Sequence, residues 1–160
     1  MFTKLNITPV AILLLIVLIN FQVVLAQQAS EEKAIAERTL LLINNYRQSK
    51  GLIALEQLPV IYEECLNHSL NMAKTEDMGH DGFDERIKNI RKNVMFVNCA
   101  ENVAYNFGQN DPAMSAFSSW RNSRGHHQNM LGKFTHTGLA VVKHKGYYYF
   151  TQIFIQKTKK

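Results

Sequence analysis

The chain has 160 residues, 46% of them hydrophobic and 19% charged, with a formal net charge of +5 and two cysteines. That composition excludes a disordered chain, and the length suits one domain with a core of its own. The basic residues are scattered, only Lys157, Lys159 and Lys160 cluster, and no aromatic-basic motif accompanies them, so nucleic acid is not an expected partner.

Residues 1–26 are of a different kind from the rest. Lys4 is their only charge, Val10 to Ile19 is unbroken apolar chain, and Val24-Leu25-Ala26 before Gln27 fits a small-residue cleavage site. The expectation is a secretory signal peptide, 1–26, followed by a single domain, 27–160. An uncleaved anchor is the alternative, but Asn20 and Gln22 cut the apolar run short of the roughly 20 residues a spanning helix needs. Cleavage would leave no membrane span and a chain exported to the outside or the periplasm. Without Lys4 the balance is 17 basic to 13 acidic residues.

In chain order, Ser30 can cap a helix whose first turn holds Glu31 and Glu32, with Ile35, Thr39, Leu42, Ile43 and Tyr46 on one face and Gly51 at its end. An extended piece near Leu52 to Leu55 leads to Pro59, which suits a first helical turn. Ile61, Cys65, Leu66, Ser69, Met72 and Ala73 then form a buried stripe, and Gly79 breaks that second helix. "GHDGFD" (79–84) reads as a turn, with Asp84 capping a short basic helix to Lys92. Residues 93–110 show no clean period.

Asp111-Pro112 starts another helix, with Ala113, Ala116, Phe117 and Trp120 on its core face. Gly125 is read as a break, followed by a helical turn from His126 to Leu131 that Gly132 closes. Thr137 to His144, a Lys145-Gly146 turn and Tyr147 to Ile155 read as a hairpin. Helices first and a hairpin last give an α+β fold with helices packed on an antiparallel sheet.

Both cysteines, Cys65 and Cys99, lie in the exported part. An even count in an oxidising compartment favours a disulfide, whose loop of about 35 residues would stabilise by roughly 2–4 kcal/mol; two buried free thiols are the alternative.

The candidates for chemistry are His80, Glu101 and His126, all in or beside turns bounded by Gly, Asn or Asp. Each also has an ordinary structural explanation, as a turn hydrogen bond, an acceptor for backbone N–H groups or a residue at a helix start. No H-E-x-x-H, C-x-x-C or G-x-S-x-G motif decides the matter.

Six stretches carry a wider resemblance: "LLINNYRQSKGLIAL" (41–55), "LNHSLNMAK" (66–74), "GHDGFDERI" (79–87), "AENVAYNFG" (100–108), "WRNSRGHHQNMLGKFTHTGLAV" (120–141) and "YYYFTQIFI" (147–155). Read in that order, the chain resembles the CAP superfamily, the SCP-like domains of pathogenesis-related and cysteine-rich secretory proteins, in its compact bacterial-type branch. The resemblance implies a three-layer α-β-α sandwich, with a small antiparallel sheet between helices and a central cleft. It also implies that the cleft can bind a divalent metal such as zinc through histidines and glutamates. On that reading His80 is the first histidine, Glu101 the first glutamate, and His126 the histidine of the block "SRGHH".

The chain departs from the family pattern at several places. Ser123 stands where larger members carry a second glutamate, and Lys133 where their second histidine precedes Phe134-Thr135. Arg124 and His127 replace the proline and arginine of the block, and Cys99 stands next to the position where glycine or alanine usually precedes the glutamate. His126 is then the inward imidazole and His127, about 100° further round the turn, the exposed one.

Three function classes follow. The first is a binding or interaction module for an extracellular ligand, lipid or protein, acting as a monomer, with a metal-competent cleft. The second is a metal-dependent hydrolase of peptide, ester or cell-wall substrates: two imidazoles and the Glu101 carboxylate match the ligand count of a catalytic zinc, whereas with Glu101 as candidate general base only the two histidines remain as ligands and metal binding is weak. The third is lipid or sterol binding in a groove lined by Tyr147 to Phe150, a stripe that packing also explains. His68 is read as packing near the cleft, His136 and His144 as surface residues, and the sequon at Asn67 as doubtful in its helical setting.

Overall fold

The structure, a computed structural model, describes residues 9–158, except the side chains of Pro9, Ala11 and Ile12. Expectations for Lys4, Lys159 and Lys160 lie outside these residues. The chain divides into two units, Met1–Glu31 and Glu32–Lys160.

Helix α1 runs Pro9–Ser49 and so belongs to both units. Ser30 lies inside it and is not a cap, because Ala26-Gln27-Gln28-Ala29 are good helix formers and nothing there breaks the pattern. In the first unit the apolar side chains from Leu13 to Ile19 are all exposed. The helix is long and apolar enough to cross a membrane by composition, a test that a signal sequence also passes.

In the second unit α1 ends at Ser49, and Gly51 takes the left-handed conformation (φ +75°) that the exit turn requires. Strand β1 (Glu56–Gln57) is followed by α2 (Pro59–Thr75), α3 (Phe83–Arg91), β2 (Phe96–Phe107), α4 (Pro112–Asn122), α5 (Arg124–Met130), β3 (His136–His144) and β4 (Tyr147–Lys157). Proline opens α2 and α4, and the Asp111 side chain accepts from the Met114 N–H to cap α4.

Three local expectations are corrected. Helix α2 stops at Glu76, itself left-handed (φ 56°), before Gly79 is reached. Gly82 is the N-cap of α3, and Asp84 falls in its first turn, where an acid favours the helix dipole without capping. The break between α4 and α5 is at Ser123, which leaves Gly125 inside α5.

The sheet order is β1-β3-β4-β2; β1 is parallel to β3 and the other pairs are antiparallel. Alternation along the strands sorts side chains into two layers. Leu139, Val141, Tyr148, Phe150 and Phe154 join Leu40 and Ile43 of α1, Phe117 and Trp120 of α4 and Met130 of α5. On the other face, Ala140, Ile153 and Ile155 meet Ile61 and Cys65 of α2 and Ile87 and Ile90 of α3, and Val103, Val142 and Tyr149 meet Met72 and Ala73. The fold is the α+β three-layer sandwich, helices on both sides of one small sheet.

Gly138 sets how closely α2 approaches: a Cβ there would lie 2.4 Å from the backbone of Ile61 and Tyr62. Cys65 is fully buried, and its thiol donates to the Gly138 carbonyl at 3.2 Å. Cys99 is half-buried on β2, and both are free thiols, so the expected disulfide is not formed. Burial pushes both thiols above the usual range, Cys65 most strongly.

Candidate functional site

Strand β2 builds the site, although its sequence hid it. Polar residues occupy positions that a simple strand would fill with apolar ones: Glu101, Asn102 and Asn106 are all buried. Glu101 and Asn102 are successive, so they point to opposite faces.

On one face, Glu101 receives the Arg86 guanidinium in a two-pronged pair, Nε to Oε2 at 2.9 Å and Nη2 to Oε1 at 2.8 Å. Its side chain is 2% exposed and that of Arg86 9%. His80 Nδ1 lies 2.9 Å from Glu101 Oε1. A carboxylate held by a guanidinium is an acceptor only, so His80 donates from Nδ1 and its Nε2 is left for other partners. The remaining donors of Arg86 reach the carbonyls of Asp81 at 2.7 Å and His80 at 3.4 Å, which ties the 79–82 turn to α3. His68 Nε2 meets the Gly79 carbonyl of the same turn at 2.9 Å.

On the opposite face, the Asn102 amide donates to the His126 carbonyl at 3.2 Å. Asn129 donates to the Glu101 carbonyl at 3.2 Å and to Asn102 Oδ1 at 2.9 Å, and Trp120 Nε1 donates to the Val103 carbonyl at 2.9 Å. These side chains cover the edge strand where a sheet is otherwise open to pairing.

His126 Nδ1 is buried without a hydrogen-bond partner. Burial, and then the neighbouring His80, hold its pKa below the ordinary value. His127 is not exposed: its Nε2 lies 3.0 Å from the Tyr46 hydroxyl, with the rings 5.8 Å apart. Helix α5 sets the His126 carbonyl against Asn102 of β2 and the His127 ring against Tyr46 of α1, a helix of its own layer, rather than in water.

The structure thus brings His80 and Glu101 into contact and makes His126 an electrostatic neighbour of His80. Arg86 escaped the sequence reading although it stands inside "GHDGFDERI"; a charged residue in a short basic helix looks like a surface residue until its partner 15 positions away is known. His136 is also less exposed than expected, with its side chain 14% exposed beside Glu56.

The sequence pattern of the cysteine-rich secretory protein (CAP) family matches residues 40–154. The chain belongs to that family. No curated protein sequence matches this CAP chain significantly.

Among solved structures it resembles an extracellular SCP-domain protein of Bacillus anthracis (TM-score 0.64, 29% identity, 79% of this chain and 41% of that one). A cysteine-rich secretory protein of Staphylococcus aureus matches at TM-score 0.62 and 23% identity, with 79% and 40% covered. An outer surface protein of Borrelia burgdorferi matches at TM-score 0.69 and 16% identity, with 79% and 95% covered. This CAP chain therefore spans about two fifths of the Bacillus and Staphylococcus proteins. The neighbours are extracellular or surface proteins, and the apolar N-terminal helix is compatible with a signal sequence.

A family metal would need three protein donors. Glu101 has both oxygens committed to Arg86 and His80, Ser123 offers no carboxylate, and Lys133 is exposed on a turn. Among the described residues no three of His, Cys, Asp and Glu gather around one point. His80 Nε2 and His126 Nδ1 remain, so the residues present do not fit a closed or three-ligand catalytic zinc site.

A second feature lies further along β2. Tyr105 and Phe107 pair across to Tyr149 and Tyr147 of β4. Beyond the end of α2 these four rings form a ladder with centroids 4.7–6.4 Å apart. A cavity of about 470 Å³ beside it is lined by Tyr105, Tyr147, Tyr149, Met78, Glu76 and Lys145, among others. Tyr148 and Phe150, expected in the same groove, face the α1 and α4 layer instead.

Proposed function

We propose that this chain is an exported CAP-domain binding protein whose histidine–glutamate cleft is a scaffold and not a hydrolytic centre. The observation that supports this reading is the Arg86–Glu101 pair. A general base must be free to take a proton, and Glu101 is buried with each oxygen already accepting a charge-assisted bond. The extracellular or surface neighbours support export.

The purified protein, tested on peptide, ester and cell-wall substrates, is expected to show no turnover that Glu101→Gln removes. Turnover lost in that variant would make the domain a hydrolase.

A second reading concerns the ligand. The aromatic cavity combines tyrosine rings with a charged rim, which suits an amphipathic lipid-like molecule. A fluorescent sterol or fatty acid at micromolar concentration is expected to bind the protein and to bind Tyr105→Ala less well. No binding by either probe removes this reading and leaves a protein ligand.

A further inference from the structure

We propose that Arg86 is the resident cation of the cleft: its guanidinium takes the place that a divalent ion would take beside Glu101, and so sets the cleft against metals. This goes beyond the binding-module reading, because it names the residue that decides what the cleft accepts and holds whatever the domain's ligand proves to be.

Three observations carry it. The guanidinium meets both Glu101 oxygens, at 2.8 and 2.9 Å, so the charge that would attract an ion is already neutralised at hydrogen-bond distance. Arg86 is also held in place. Its other hydrogen bonds are to the carbonyls of His80 and Asp81, and it lies over the Phe83 ring, so swinging aside breaks its ties to the turn that carries His80. A dication entering next to a fixed positive charge in a buried setting meets repulsion that water does little to screen.

The third observation is His126 Nδ1, buried and without a hydrogen-bond partner on the other side of β2's edge. A buried nitrogen is rarely left in this way. With His80 Nε2 uncommitted by its contact to Glu101, the cleft holds two imidazole nitrogens and one masked carboxylate. Removal of the guanidinium frees Glu101 to join His80, already in contact with it, as a two-donor site, while His126 stays a neighbour and not a third ligand.

The test is zinc titration of the full chain in detergent micelles, followed by calorimetry and by the thermal midpoint with and without chelator. Wild type, Glu101→Gln, Arg86→Met and the double variant Arg86→Met/Glu101→Gln are compared. Wild type and Glu101→Gln are expected to respond to zinc alike. Arg86→Met is expected to bind at least about tenfold more tightly, with a midpoint that zinc raises, and the double variant to lose that gain.

One-to-one zinc binding by wild type that disappears in Glu101→Gln would overturn the proposal, and so would an Arg86→Met variant that folds and gains nothing. If Arg86→Met does not fold, the ring resonances of His80 and His126 in wild type decide. Their staying unmoved by zinc supports a filled cation position, and their moving together at stoichiometric zinc refutes it. The hydrolysis assay above reads substrate turnover, so its failure and the failure of this test are separate results.

Discussion

At Glu101 and Asn102, strand β2 turns its side chains inward into a closed network: a carboxylate held by two partners, an amide shared between α5 and the strand, and edge carbonyls capped by Asn129 and Trp120. Three and five residues beyond Asn102, Tyr105 and Phe107 remain 53% and 56% exposed and meet other aromatic rings. In the polar region both Glu101 oxygens are already paired, whereas the aromatic region has open surface beside a cavity rimmed by Glu76, Asp77, His144 and Lys145. On the proposed reading, the cleft residues serve the fold and the exposed rings are the surface left for a ligand.

The comparison breaks first at the buried pair. Glu101→Ala leaves Arg86 charged and desolvated, and a loss of about 3–5 kcal/mol in urea unfolding is expected. A loss under 1 kcal/mol would mean that the cleft is not structural. Asn129→Ala strips the Glu101 carbonyl and the Asn102 amide of a donor, and about 1–3 kcal/mol should be lost by the same measurement. At the other end, Tyr105→Ala and Phe107→Ala should each change stability by about 0.5 kcal/mol or less. If either costs as much as Asn129→Ala, the ladder is core and not free surface.

The smallest effect is in the pH dependence. Burial holds the pKa of His68 and of His126 below the ordinary imidazole value near 6.5. Between those depressed values and about 6.5 the unfolded chain binds more protons than the folded one, so the contribution of these groups to stability rises with pH through that window and is level on either side of it. His68→Gln should flatten the slope of urea midpoints between about pH 7.5 and 5.5; a slope steeper than that of wild type would contradict the assignment.

Much of the architecture was legible because it rests on local rules. The apolar stripe of α2, the Asp111-Pro112 start of α4 and the Lys145-Gly146 turn were all read from spacing or turn chemistry, and Trp120 is fully buried as its position required. Strand β2 was not legible, since Glu101, Asn102 and Asn106 sit where an alternating pattern needs apolar residues, and the tertiary partners that compensate are invisible in the sequence. For the same reason His80 and Glu101 were found by resemblance while Arg86 was missed. The disulfide failed on a similar point: an even cysteine count says nothing of whether one thiol is enclosed between α2 and β3.

The order β1-β3-β4-β2 has a consequence for synthesis. β4 is made last of the four strands, yet it lies between β3 and β2, and among the described residues β2 has no other strand partner. Arg47, buried near the end of α1, donates to the carbonyls of Met130, Gly132 and Phe134, 83–87 residues downstream. A nascent chain halted between β2 and β4 therefore carries a strand without its neighbour, and one halted before residue 130 also lacks the acceptors for a buried cation. The sheet of this domain therefore cannot close until β4 has been made, so its folding as a unit waits on the last of the four strands.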